Sequence, residues 1–343
     1  MPERPHILDL ELEEIDSIIA GQGFQPYRAK QVVAWIYRKF ALSYDDMTDL
    51  PKDLRAYLAE NTEFSRLSLV TLQEQKSDRS KRYLWGIYGN PLAESVLLEY
   101  KYGLTGCLST QAGCPVGCVF CASGKLGFQR NLTKGEILDQ FLGMCRHSNQ
   151  RLSRIVFMGT GEPFFNYEAV LGSIDMLCKE ETYDMSRRKI TVSTVGIPGA
   201  IRKFAVDSNG VRLALSLHAA SDETRSELIP VNRVYPLKEI ISAVKYFAGV
   251  TGQRVTFEYM MLKGVNDSKE DAIKLANLVN GIDCLVNIIP WNPVPGVHLQ
   301  ESEPGTILDF VSTLERNRVK VTVRRRLGGN IKAACGQLRR VIT

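Results

Sequence analysis

From about residue 105 the chain alternates short runs of branched residues with helix-length amphipathic stretches, and this alternation constrains the fold more than any other feature. A strand-like CLSTQ leads to EILDQFLGMCRH, which Thr133 and Glu136 open as a capping box. IVFMG (155–159) is followed by a helix after Asn166, ITVST (190–194) by IPGAIRKFA, and RLALSLH (212–218) by a helix from Pro236 to Phe247. RVTFEYMML (254–262) precedes a helix from Ser268 to Val279, CLVNIIP (284–290) precedes one near 306–316, and VKVTVRR closes the series. Strand–helix–strand crossovers of this kind build a parallel sheet. About six βα units are too few for an eight-fold barrel. The expected fold is α/β, a partial TIM-like (βα)6 barrel.

The first hundred residues read differently. LDLELEEIDSIIAG stops at Gly21, YRAKQVVAWIYRKF carries apolar residues at helical spacing, and Leu50-Pro51 interrupts before DLRAYLAEN. RLSLVTLQEQ, KRYLWGIYG and AESVLLEY read as strands, with a Gly-Asn-Pro turn at 89–91. The expected division is a helical accessory domain at 1–62, linking strands at 63–99 that pack on the core, and the βα core at 100–343. MPERPHILDLELEE lacks an apolar signal region, and no run of 18 apolar residues occurs, so the expected location is the cytoplasm. A net charge of +5 permits a polyanionic partner without requiring one.

Eight cysteines, three of them crowded into GCPVGCVFCASG as Cys114, Cys118 and Cys121, suggest metal or catalytic thiols rather than a disulfide framework. A structural zinc site would need a fourth ligand from elsewhere. An iron–sulfur cluster on three thiolates would keep one iron open for a substrate or cofactor. Spacing alone leaves both readings standing. Other polar residues fall at strand ends: GTGEP, Ser193-Thr194, Ser216-Leu217-His218 and Trp291-Asn292-Pro293. Each could be an ordinary strand-end hydroxyl, a core histidine or a turn, but a parallel barrel gathers these positions at one mouth.

CPVGCVFC also matches the C-x3-C-x2-C signature of radical S-adenosylmethionine (SAM) enzymes. ESVLLEY, LTGCLSTQAGCPVGCVFCASGKLGFQRNL, FMGTGEP, ITVSTVGIPGAI, LALSLHA, IPWNPVPG and IKAACGQL, in this order and over nearly the whole chain, resemble the RlmN/Cfr family of radical SAM adenosine RNA methyltransferases. The resemblance implies a radical SAM barrel with a 4Fe-4S cluster on Cys114, Cys118 and Cys121 and SAM at its open iron. Gly161 and Glu162 would hold the SAM amino group, and Ser193, Ser216, Leu217, His218 and Asn292 would complete the pocket. Cys335 would accept a methyl from one SAM, and a 5'-deoxyadenosyl radical from a second would activate that methyl to join the base. Glu94 would then remove a proton, and Cys107 would release the base by forming a disulfide with Cys335.

The implied substrate is C2 of an adenosine in 23S rRNA and in tRNA, with an electron donor such as flavodoxin or ferredoxin and no need for a second subunit. A Cfr-type reaction at C8 would use the same residues; IPWNPVPG and the helical domain favour C2. A non-catalytic RNA-binding zinc protein is the reading from another class. Arg28, Lys30, Arg38, Lys39 and Arg324 to Arg326 are candidate RNA contacts. Asn330 stands where the family usually has Asp, and Thr160 where a Met is commoner.

Overall fold

The computed structural model describes residues 4–88, 91–125, 127–324, 328, 331 and 336–338; Gly89, Asn90, Arg325, Arg326, Asn330 and Cys335 lie outside them. Three helices, α1 (Leu12–Ala20), α2 (Tyr27–Tyr37) and α3 (Lys52–Asn61), precede strands β1 (Leu67–Glu74), β2 (Lys81–Ile87), β3 (Leu92–Tyr100) and β4 (Gly103–Cys107). The cysteine loop and the short α4 (Ala122–Lys125) lie between β5 (Gln111–Gly113) and β6 (Phe128–Asn131), which pair with each other. Then follow α5 (Lys134–Ser148), β7 (Arg154–Phe157), α6 (Tyr167–Cys178), β8 (Ile190–Thr194), α7 (Pro198–Asp207), β9 (Arg212–Ser216) and α8 (Asp222–Leu228). The chain continues with α9 (Leu237–Thr251), β10 (Val255–Met261), α10 (Lys269–Leu278), β11 (Cys284–Pro290), α11 (Pro304–Arg316) and β12 (Val321–Val323).

One sheet runs β1-β2-β3-β4-β7-β8-β9-β10-β11-β12. From β4 to β12 every pairing is parallel, which gives the six βα units that the alternation predicts. From β1 to β4 every pairing is antiparallel, so the strands read as linking are continuous with the barrel sheet. Two details differ from the sequence reading. The first barrel strand ends at Cys107 instead of covering CLSTQ, because the β3–β4 hairpin pairs Tyr100 with Gly103 and starts the strand earlier. Helix α8 is additional; DETRSEL is too short and too charged to show an apolar stripe.

Capping at α5 is as expected: the Thr133 hydroxyl accepts from the Glu136 amide and the Glu136 carboxylate accepts from the Thr133 amide; Ser268 with Asp271 repeats the device at α10. Among the described residues no helix is long and apolar enough to cross a membrane.

The N-terminal helices share one hydrophobic core with the barrel, from Ile7 and Leu8 through Ile36 and Leu54 to Phe141 and Phe157. Polar latches fix the junction. Asp9 accepts from the Gly135 amide at 2.6 Å and the Thr133 hydroxyl at 3.1 Å, which puts a carboxylate on the positive end of α5. A Cβ at Gly135 would collide with the His6 ring, so a side chain there would separate the two parts. Arg38 donates to the carbonyls of Thr182 and Glu180, which engages it in this junction. Of the four basic residues read as RNA contacts on α2 and its end, Arg28, Lys30 and Lys39 remain without a bond across it.

His6 is the buried centre of the latch, 3.2 Å from Asp139 of α5 and 3.7 Å from Asp9. Burial alone would lower the imidazole pKa, but the bonds and charges of Asp139 and Asp9 outweigh it and raise it from 6.5 to about 9. A raised folded-state pKa stabilises fully below the unfolded value and loses that contribution as pH rises through the folded value. At 1.36 kcal/mol per pH unit the shift corresponds to roughly 3 kcal/mol. Urea unfolding of the protein and of His6→Asn should therefore differ by about this much near pH 6 and converge near pH 10. A difference that does not change with pH would show that His6 is not charged in the fold.

Candidate active site at the barrel mouth

The parallel strands deliver their C-terminal ends to one side. Gly161 and Glu162 follow β7, Ser193 and Thr194 end β8, Ser216 ends β9 with Leu217 and His218 beyond it, and Asn292 follows β11. The cysteine loop lies at this mouth as well. Cys114, Cys118 and Cys121 are half-buried against a cluster made by Val116, Phe120, Ala219, Met260, Ile289 and Trp291. Trp291 Nε1 donates to the Phe120 carbonyl at 3.3 Å, and the Phe120 ring meets His218 edge-on with centroids 5.0 Å apart. The loop is thus seated on the ends of β9, β10 and β11.

Burial pushes the Cys114 thiol up to about 12 and the Cys118 thiol well above its ordinary value, and neighbouring sulfurs add to both shifts. Thiolates in such a loop require a cationic group, and an all-sulfur donor set suits an iron–sulfur cluster or zinc. Among the described residues no three His, Cys, Asp or Glu side chains are gathered as on a single metal ion.

Beside the loop is a cradle suited to a cationic ligand. Glu162 is buried and accepts from the amides of Phe164 at 3.1 Å and Val195 at 2.9 Å, while its own amide donates to Gln111 Oε1 at 2.9 Å. Burial outweighs these bonds and pushes its pKa up to about 7. Among the described residues no cation pairs with it in an ion pair, and an incoming ammonium would restore the charged form; that chemistry fits SAM. Gly161 has φ +113°, and a Cβ there would lie 2.7 Å from Thr110 Oγ1 and 2.8 Å from Gln111 Cβ, so only glycine keeps the backbone this close.

The remaining pocket residues are held as follows. The Ser193 and Ser216 hydroxyls are 3.2 Å apart across neighbouring strands. His218 is neutral, its pKa lowered to about 3 by burial first and then by the Arg225 charge, and its Nδ1 accepts from the Met260 amide at 3.0 Å. Leu217 is fully buried, and both its amide and its carbonyl are engaged, with the Glu258 carbonyl and with Arg225. Asn292 is buried next to Trp291.

Arg225 escaped the sequence reading. This fully buried side chain on α8 donates to the carbonyls of Leu217 (2.9 Å), Ser216 (3.1 Å) and Val195, and to Asn232 Oδ1 (2.6 Å). It ties the end of β8 to the end of β9, and the Val119 amide of the cysteine loop donates to the Leu228 carbonyl of the same helix at 3.0 Å. Only the three-dimensional neighbourhood distinguishes it from the solvated charges around it in DETRSEL.

A second group of residues lies on one face of the sheet. Arg82 of β2 is opposite Val96 of β3, and Val96 is opposite Cys107 of β4, so the three form one cross-strand row; Glu94 is two residues along β3 on the same face. Glu94 is fully buried and bound by Arg82. Cys107, Val96 and Leu98 pack with Leu338, and Ile331 borders the cluster. The Ala122 amide donates to the Gly336 carbonyl at 2.8 Å, the Ser123 hydroxyl to the Leu338 carbonyl at 3.0 Å, and Gln337 Nε2 to the Pro293 carbonyl at 3.1 Å. The described residues near Cys335 are therefore anchored to the cysteine loop, to the loop after Asn292 and to the face that carries Cys107.

Comparison with known proteins agrees with this geometry. The Radical SAM superfamily matches residues 108–276, and the Ribosomal RNA large subunit methyltransferase N-terminal domain matches residues 6–64. A Thermotoga neapolitana protein named probable dual-specificity RNA methyltransferase RlmN is 42% identical over 335 residues, 97% of each chain. One of the same name from Pelotomaculum thermopropionicum is 43% identical over 341 residues, covering 99% of this chain and 93% of that one. The crystal structure of a radical SAM methyltransferase from Sphaerobacter thermophilus superposes with a TM-score of 0.96 at 41% identity, covering 98% of this chain and 100% of that one. The fold and its cysteine loop thus define a radical SAM enzyme. Within that class the chain belongs to the RlmN family of RNA methyltransferases, which implies a 4Fe-4S cluster and SAM.

Arg225→Leu would strand three carbonyls and Asn232 in a dry mouth. The expected loss of unfolding free energy is about 3–5 kcal/mol by urea denaturation, against roughly 1–2 kcal/mol for Asn232→Ala. Equal, small losses would mean that the guanidinium is not what joins these strand ends.

Proposed function

We propose that the chain methylates C2 of an adenosine in 23S rRNA and in tRNA through a methyl carried on Cys335. The observation that carries this reading is the anchoring of residues 336–338 on the cysteine loop and on the sheet face bearing Cys107 and Glu94. C2 of adenine is an electron-poor amidine carbon and does not attack a methyl sulfonium, so a polar transfer fails. When bound, the cluster and SAM supply the methyl group and a one-electron route to a reactive carbon, using two SAM per turnover.

Every other part falls to the chain's own residues. Cys114, Cys118 and Cys121 hold the cluster; Gly161 and Glu162 bind the SAM ammonium, and Ser193, Ser216, Leu217, His218 and Asn292 shape the pocket. Cys335 would carry a methyl taken from SAM as its sulfur displaces it; the one-electron route would remove one hydrogen atom from that methyl, so that its carbon can bond to C2, and would take back one electron when the C2 proton leaves. Glu94 takes the C2 proton. Cys107 attacks the Cys335 sulfur; the sulfur–carbon bond breaks with its electron pair going to the carbon that becomes the product methyl, and the two cysteines are left as a disulfide. A target adenine must leave its stack to reach this face, which favours loops over duplex RNA.

Arg28, Lys30 and Lys39 offer phosphate contacts on the helical domain, and the dual-specificity RNA methyltransferase name borne by relatives supports two classes of RNA substrate. A monomer suffices, a flavodoxin- or ferredoxin-type protein supplies the electron, and the RNA substrates put the reaction in the cytoplasm.

RNA from a strain lacking this protein, with and without complementation, should differ by 2-methyladenosine on chromatography and mass spectrometry. Gain of 8-methyladenosine instead would overturn the C2 assignment. Cys107→Ala should still load a methyl on Cys335 and join the base but stall there. Denaturing gels with labelled RNA, SAM and anaerobic reductant should show a protein–RNA adduct absent from Cys335→Ala and Cys118→Ala. A cluster-loaded Cys107→Ala that released methylated RNA at the normal rate would refute the resolving role.

A further inference from the structure

We infer that Arg82 is a positioning residue for Glu94, fixing the carboxylate in its charged form and in one orientation beside Cys107 so that it can take the C2 proton. The inference rests on the reading of Glu94 as that proton acceptor. The step it serves moves one proton from C2 to a Glu94 oxygen, with the electron pair of the C–H bond staying in the ring.

The geometry is that of a braced pair. Arg82 Nε donates to Glu94 Oε1 at 2.8 Å, Nη2 donates to the same oxygen, and Nη1 donates to Gln73 Oε1 of β1 at 3.1 Å. The guanidinium is thus held from the neighbouring strand while it grips the carboxylate. Both side chains are nearly inaccessible, at 5% exposure for Arg82 and none for Glu94. Beside them lies an apolar cluster made by Val96, Leu98, Val156, Met158, Ile331 and Leu338 around Cys107.

A carboxylate in such surroundings without a cation favours its neutral form, and a neutral acid accepts no proton. A merely structural role explains the pair poorly. Buried ion pairs stabilise folds little compared with apolar side chains of the same volume, and Val96 and Leu98 fill the next inward positions of β3 with such side chains. What a guanidinium adds here is charge and a fixed plane, which a base needs and a core does not.

The test uses holoprotein with labelled RNA, SAM and anaerobic reductant, and follows cluster content, methyl on Cys335 by mass spectrometry, and the lifetime of the protein–RNA adduct on denaturing gels. Arg82→Gln should load its cluster and its methyl at wild-type rates and form the adduct, but the adduct should decay at least about tenfold more slowly. Arg82→Lys, which keeps the charge and loses the paired donors, should fall between Arg82→Gln and wild type. A structural role would instead depress methyl loading and adduct formation together.

Glu94→Gln separates the two claims. If it releases product normally, the proton-acceptor reading fails and the role of Arg82 falls with it. If Glu94→Gln stalls while Arg82→Gln decays at the wild-type rate, the acceptor stands and the present inference is overturned. Should Arg82→Gln not load a cluster, Arg82→Lys carries the comparison, and a wild-type adduct lifetime there overturns the inference.

Discussion

The buried guanidinium of Arg225 is the constraint on which the mouth of this barrel depends. Strand ends in a parallel sheet expose carbonyls that the ladder no longer satisfies, and leaving them dry and unpaired is costly. Here one side chain collects the carbonyls of Val195, Ser216 and Leu217, and its remaining arm reaches Asn232. Because the same helix receives the Val119 amide, the cysteine loop and the pocket residues of β8 and β9 are positioned by a single element. His218 faces this charge with a neutral ring, and Phe120 and Trp291 close the space between loop and strands.

The antiparallel extension of the sheet solves a different problem. A partial barrel has an open first strand, and β4 is covered by β3, which is covered by β2 and β1 in turn. Hydrogen-bonding continuity fixes Glu94 and Cys107 relative to one another as rigidly as any two residues within the barrel. The C-terminal segment then returns to this face through Leu338 and to the cysteine loop through Gly336. The described residues at this end of the chain are thus anchored on both surfaces.

What the sequence disclosed follows the range of the interactions involved. Local features were legible: the capping box at Thr133, the six βα units, and the C-x3-C-x2-C loop all depend on residues within a turn or two of each other. Features that need register were not. The pairing of Arg82 with Glu94 depends on which residue of β2 lies opposite which of β3, and a shift of one residue would turn every side chain to the other face. Helix α8 buries only Arg225 and Leu228, so no apolar stripe announces it. The strand read across CLSTQ was misplaced because β4 takes its start from a hairpin with β3. Arg38 at the end of α2 reads as one more basic residue, and only the fold shows its guanidinium directed to the carbonyls of Thr182 and Glu180.

Three buried carboxylates show how the same chemistry is turned to different ends by its partners. Asp139 is surrounded by donors: His6, the Ser65 hydroxyl, the Arg66 amide and, more distantly, Arg146. That set spans the helical domain, the start of β1 and α5, so its role is to join parts. Glu94 is gripped by the Arg82 guanidinium, which is itself braced by Gln73, and this limits its orientation. Glu162 has amide donors and a pKa raised by burial to about 7, so a cation placed beside it would favour its charged form. A buried acid whose charge would be completed by its ligand favours cations, because a neutral analogue would leave it protonated.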